Sequence, residues 1–182
     1  MANNAYYRAH IKGDESNVKE FIRAMKWEGE YAENGAGRIF SCYVIDECVL
    51  WSDANHAYFC DMEGDVAWSI LSALRKEYNP NNIEELSKRL NLVIEMFSQE
   101  PGMGFMEHFV VDNGKVLCDD CFDYCEYDID KFEENMDDIG DEFWEQDFVK
   151  ESGITRENYI EFANDGYIEI GGCPMDWEYV WV

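Results

Sequence analysis

One dipeptide constrains the fold of this chain more than any other feature. Asn113-Gly114 stands between residues 105–112 and 115–127, two runs rich in β-branched and aromatic side chains. A two-residue type I′ turn needs positive φ at both central positions, and Asn-Gly is the pair that meets this at least steric cost. The flanking runs are therefore expected to be adjacent antiparallel strands. Upstream, residues 5–12 alternate, with Tyr6, Arg8, His10 and Lys12 on one face and Ala5, Tyr7, Ala9 and Ile11 on the other. Gly13-Asp14 ends that strand. Ser16 is the expected N-cap of a helix whose apolar face is Val18, Phe21, Ile22 and Met25.

A Gly- and Glu-rich loop over residues 28–37 leads into two strand-like runs, 38–46 and 57–63. Gly64-Asp65 is expected to open a second helix carrying Val66, Ile70, Leu71 and Leu74, interrupted by Pro80. Asn82 and Glu85 resemble a capping box for a short helix with Ile83, Leu86 and Leu90 inward, and residues 91–98 read as a strand. The order β-α-β-β-α-β predicts an α+β fold, a ferredoxin-like split β-α-β with an antiparallel sheet. The 105–127 hairpin would be added to it. The expected division is a ferredoxin-like domain with hairpin extension over residues 1–127. Residues 128–182 would form an acidic helical segment with C-terminal strands packed on it. Within the latter, Thr155 would cap a helix to residue 163, followed by strands at 167–170 and 177–182.

Forty Asp and Glu against fourteen Lys and Arg leave a net charge of −26. Direct binding to a nucleic acid or an anionic membrane is opposed by that charge, and a basic protein surface is favoured. With 47% apolar and 15% aromatic residues, the chain has ample material for a core, which excludes wholesale disorder. The N-terminus has no basic stretch followed by an apolar run, and no stretch approaches the about 20 apolar residues of a spanning helix. The expected location is the cytoplasm of a bacterial host cell, with the seven cysteines reduced.

Residues 119–151 hold fifteen Asp and Glu against Lys131 and Lys150, a net of −13 and half the charge of the whole chain. Ile129, Phe132, Met136, Ile139 and Phe143 recur at steps of 3 and 4, a stripe one helix could bury. Asp130, Glu133, Glu134, Asp137, Asp138, Asp141, Glu142 and Glu145 fill nearly everything else. On a helix, neighbours three or four apart lie about 5–6 Å from one another, and like charges there cost tenths of a kcal/mol per pair. Duplex DNA carries one phosphate per about 1.7 Å, so such a face has a comparable character. These eight carboxylates are the candidate partner-binding residues, acting as phosphate surrogates toward Lys and Arg.

The chemistry-bearing residues give weaker signals. Cys118, Cys121 and Cys125 form a C-x2-C-x3-C cluster that could offer zinc three thiolates, with Cys173 or His108 as a fourth ligand. If residues 115–127 are a strand, however, Cys118 and Cys121 point to opposite faces. An EF-hand loop starting at Asp128 would need Gly at its sixth position, where Glu133 stands. His10, His56 and His108 form no metalloprotease signature, and the Gly-rich stretches lack a phosphate-loop Lys-Ser/Thr. A Cys-His pair has no local motif behind it. The chain is therefore expected to be a non-enzyme with no metal and no cofactor. The alternative is a non-catalytic structural or metal-binding accessory module of a mobile element.

His10-Ile11-Lys12-Gly13, Gly64-Asp65-Val66-Ala67-Trp68-Ser69 and the segment Glu100-Pro101-Gly102-Met103-Gly104-Phe105-Met106-Glu107-His108 resemble small ferredoxin-like (YubB-like) proteins of phages, plasmids and conjugative elements of gut Firmicutes. That family often carries Cys where this chain has Val66, and it has no established catalytic residues to carry over. The resemblance implies fold and mobile-element origin. Size, acidity and such an origin are also similar to those of anti-CRISPR proteins, particularly clostridial inhibitors of type II-A Cas9. That likeness implies an inhibitor that binds the Cas effector nuclease and impairs recognition or cleavage of target DNA. Cas9 holds nucleic acid in positively charged channels, which a polyanionic surface could occupy. The expected partner is thus the basic nucleic-acid-binding surface of a Cas effector, not nucleic acid or membrane, and a homodimer is compatible with the sequence.

Overall fold

A computed structural model describes residues 4–26, 28, 43–54, 56–67, 69–70, 82–100, 102–134 and 139–171. The described elements run β1 (Asn4–Gly13), α1 (Glu15–Met25), β2 (Tyr43–Ser52), β3 (Tyr58–Ala67), α2 (Ile83–Leu90), β4 (Val93–Glu100), β5 (Phe105–Asp112), β6 (Lys115–Asp128), α3 (Ile129–Glu134), α4 (Asp141–Trp144), α5 (Asp147–Ser152), a 3-10 turn (Tyr159–Phe162), β7 (Ala163–Asn164) and β8 (Tyr167–Gly171). The strands form one curled antiparallel sheet in the order β2-β3-β1-β4-β5-β6-β8-β7.

The β5–β6 turn forms as its residues dictate. Asn113 and Gly114 have φ of 46° and 80°, and Asp112 pairs with Lys115 across the turn. The turn also docks on α2, since the Gly114 N–H donates to Ser87 Oγ at 3.0 Å. Asn82 caps α2, its side-chain oxygen accepting from the Glu85 N–H at 3.0 Å, and Asn91 ends the helix with φ 50°. At α1 the cap position is Asp14, not Ser16, so the helix begins two residues earlier than expected.

The inward faces of both helices cover one side of the sheet. Val18, Phe21, Ile22 and Met25 of α1 and Ile83, Leu86 and Leu90 of α2 are buried against Ala5, Tyr7, Ala9 and Ile11 of β1, Met62 of β3, Ile94 and Met96 of β4, and Phe109 and Val111 of β5. At about 25 cal/mol per Å² of apolar surface removed from water, this is the dominant stabilising term of the fold. Around the acidic segment, a second, smaller cluster gathers Phe132, Val149, Ile154, Ile168 and Ile170.

Several expectations are corrected. A ferredoxin-like α+β domain with an acidic helical C-terminus does not form; the chain is an eight-stranded curled sheet with few helices. The length of β6 explains the difference. Its first part pairs with β5, and Tyr124–Asp128 pairs with β8, so hairpin and C-terminal strand continue one sheet. Gly64-Asp65 does not open a helix. The strand β3 continues to Ala67, and Val66 is fully buried between Ala5 and Tyr43. Two neighbouring strands hold residues 64–67 in the sheet, Ile70 is helical, and Leu71, Leu74 and Pro80 lie outside the described residues.

The acidic stripe does not make one helix either. Among the described residues α3 and α4 cover parts of it, and Gly140 between them is extended at φ −64°, ψ 157°. Crowded carboxylates and a helix-weakening Gly remove the local support a long helix needs. The expected helix after Thr155 is a turn and a short 3-10 segment. Met136, Asp137 and Asp138, and the strand expected at 177–182, lie outside the described residues.

Candidate functional site

The eight candidate carboxylates divide into three groups. Asp130, Asp141, Glu142 and Glu145 are exposed. Glu133 and Glu134 lie in α3, whose start is held by Asp128 Oδ1 accepting from the Asp130 and Lys131 N–H groups at 3.1 and 3.2 Å. Asp137 and Asp138 fall outside the described residues. Two of the exposed members meet internal cations. Arg156 Nη2 lies 3.1 Å from Asp141 Oδ1, and Lys150 Nζ lies 2.7 Å from Glu145 Oε2. The Lys150 ammonium holds the Glu145 carboxyl below its usual range. A cleft of about 460 Å³ opens beside both pairs, with Trp144 under the Arg156 guanidinium at 5.8 Å.

The negative surface is broader than this segment. Asp119, Asp120 and Asp123 on β6, and Glu157, Glu161, Asp165 and Glu169 near β7 and β8, are exposed as well. The acidic run at 119–123 signals the first three in the sequence, and the length of β6 joins their strand to β8. Among the described residues from 119 to 169, thirteen carboxylates are exposed against three exposed cations, Lys131, Lys150 and Arg156.

A second constellation lies on the sheet face turned away from α1 and α2. Pairing registers place Asp61, His10, Glu95 and Val110 side by side on β3, β1, β4 and β5, with Cys118 next on β6. His10 Nδ1 contacts Asp61 Oδ1, and Trp51 Nε1 donates to Asp61 Oδ2 at 2.6 Å. The Trp51 ring stacks on Phe59 at 4.2 Å, and Phe59 on His10 at 5.4 Å. One step along the strands, His108 stacks on Phe97 with ring centres 4.3 Å apart and planes 3° apart. Its Nε2 lies 2.9 Å from Glu95 Oε1, and its Nδ1 lies 3.4 Å from Cys118 Sγ. His108 and Glu95 are 2% and 0% exposed.

This group could not be read from sequence. Glu95, His108 and Cys118 are thirteen and ten residues apart, and only the β4–β5–β6 register brings them together. The alternation of β5 does place His108 and Val110 on one face, the single signal available.

Because β6 is continuous, Cys118 lies opposite Val110 and Cys121 opposite Glu107, on opposite faces of the sheet. That separates two ligands of the C-x2-C-x3-C cluster and counts against the metal-binding alternative. Among the described residues no group of His, Cys, Asp and Glu is arranged to hold a metal ion. None of their helices is long and apolar enough to cross a membrane. The buried Glu107 has a structural role, accepting from Ser98 Oγ and Ser69 Oγ at 2.5 Å and from the Ile70 N–H at 2.9 Å. No protein-family model, curated protein or solved structure matches the chain.

Proposed function

We propose that this protein is a non-catalytic acidic binder that docks on the basic, nucleic-acid-binding surface of another protein, with a CRISPR effector nuclease of the Cas9 type as the candidate partner. The observation that carries the reading is the excess of exposed carboxylates, thirteen against three exposed cations, among the described residues between 119 and 169. Clustered like charge costs folding stability through self-repulsion, and a cationic groove relieves that cost on binding. Carboxylates meet Lys and Arg through charge-assisted hydrogen bonds, as phosphates do. Cas9 supplies such grooves, and the general likeness in size and acidity to anti-CRISPR proteins suggests the class of partner.

The test is binding of the full chain to purified guide-loaded Cas9 across a salt series. Affinity should fall steeply as salt rises. A variant with Asp130→Asn, Glu142→Gln, Asp147→Asn and Glu151→Gln, all exposed positions, should bind at least about tenfold more weakly, a loss of about 1.4 kcal/mol, with a shallower salt dependence. Unchanged affinity in this variant removes the acidic segment from the mechanism, and no binding to the loaded or unloaded nuclease removes the proposed partner.

A further inference from the structure

The binding reading above does not use the Cys118–His108–Glu95 chain. The hydrogen bond that one ring nitrogen of a histidine makes sets which nitrogen is left as the acceptor. Here the buried Glu95 carboxylate takes the Nε2–H at 2.9 Å, which leaves the Nδ1 lone pair facing the Cys118 thiol at 3.4 Å. Phe97 fixes the ring plane from one side. A thiol, a base and a carboxylate that orients the base are the parts of an activated sulfur nucleophile. Cys118 is only partly buried, so its sulfur can meet a reagent, while His108 and Glu95 stay dry.

The groups around the sulfur also set which reagent is favoured. Cys118 Sγ lies 3.2 Å from Asp120 Oδ2, the carboxylate of β6 that shares its face, whereas Asp119 and Asp123 share the opposite face with Cys121. Glu95 and His108 face it from β4 and β5. The local field is negative and attracts cations.

We propose that Cys118 is a modification site that exchanges with cationic low-molecular-weight disulfides, with His108 taking the thiol proton and Glu95 positioning His108. Sγ attacks one sulfur of the disulfide, the S–S bond breaks, and a Cys118–S mixed disulfide forms. The thiol proton passes through His108 Nδ1 to the leaving thiolate. The protein sulfur is oxidised and the released sulfur reduced, so no further oxidant enters.

Cys121 provides the internal comparison. It is exposed on the opposite face, no imidazole bonds its sulfur among the interactions of the described residues, and desolvation with the charges of Glu107, Asp123 and Asp119 pushes its thiol up. The experiment treats the full-length reduced protein with cystamine, a dication, or with oxidised glutathione, an anion, and follows each cysteine by peptide mass spectrometry over pH and salt. Cys118 should react with cystamine at least about tenfold faster than Cys121 at neutral pH. Cystamine should outpace oxidised glutathione at low salt, with the gap narrowing as salt rises. His108→Gln should slow Cys118 by about tenfold or more and change its pH profile. Asp120→Asn, an exposed change that leaves the core intact, should speed it and weaken the preference for the cation. Equal rates at Cys118 and Cys121, or an Asp120→Asn variant that matches the wild type in both respects, overturns the proposal. Neither result bears on docking to a nuclease, which is read by affinity alone.

Discussion

The two larger hydrophobic clusters among the described residues solve the same problem in different ways. In the main cluster, twenty-one buried residues from α1, α2, four strands and the positions Ile70 and Leu92 pack as two layers, with side chains of β1 and β4 at the centre. The C-terminal cluster has five buried residues, and seven partly buried ones complete it. Its elements are helices of four to six residues, too short to be stable alone. What joins them is aromatic contact. Phe132 meets Tyr127, Tyr159, Trp144 and Phe143 at centroid distances of 5.1, 5.3, 6.0 and 6.4 Å, mostly tilted or edge-on. A segment that is mostly carboxylate has few side chains to bury. It therefore folds around a few large rings and keeps its charges outside, whereas the main sheet can rely on regular periodicity.

The largest expected effect separates the clusters most directly. Phe132→Ala removes a ring that is 2% exposed and should cost about 3–5 kcal/mol. Hydrogen exchange should show protection lost across α3, α5 and β8 while β1 and β4 keep theirs. A uniform loss over all strands would mean that the two clusters form one cooperative unit. Met96→Ala, in the main cluster, should cost about 2–5 kcal/mol and lower protection everywhere.

A smaller effect is expected in the β4–β5 connection, beside the small cluster of Phe97, Met106 and Tyr124. Gly104 has φ 76°, and a Cβ there would lie 2.9 Å from the Tyr124 carbonyl oxygen. Gly104→Ala should therefore destabilise by about 1–3 kcal/mol, measurable by denaturant unfolding. A neutral outcome would show that the β4–β5 connection can shift relative to β6.

The smallest effect concerns alkaline pH. Tyr127 in the C-terminal cluster and Tyr6 in β1 both have phenols pushed up to about 12, from an ordinary value of 10, chiefly by burial. The Glu63 carboxylate adds to the shift at Tyr6 through a 2.6 Å hydrogen bond. A raised folded value means that the fold favours the neutral phenol. The associated stability is complete below about pH 10 and is lost as pH rises toward about 12. Tyr127→Phe should flatten the alkaline loss of near-ultraviolet circular dichroism arising from the C-terminal aromatics, and Tyr6→Phe should leave that signal's pH dependence unchanged. Equal flattening by both would again join the clusters.

The same contrast explains what could be read in advance. Elements with a strong local code formed where expected: the Asn113-Gly114 turn, the Asn82 cap, and the alternation of β1. Errors arose where distant pairing decided the outcome. Val66 joined a strand because β1 and β2 flank it, and Gly140 with its acidic neighbours broke a stripe that looks helical on paper. Among the candidate carboxylates, composition located the charge, but it could not show that Arg156 and Lys150 engage Asp141 and Glu145.

By itself the sequence determined the sign and location of the charge, the hairpin turn and the apolar faces of α1 and α2, because composition and short-range periodicity are properties of neighbouring residues. Only the tertiary structure decided that the strands merge into one eight-stranded sheet, and that Glu95, His108 and Cys118 stand in line across three of them. Cross-strand register sets those distances, and register depends on how long β6 runs and which edges it finds, information spread over the whole chain.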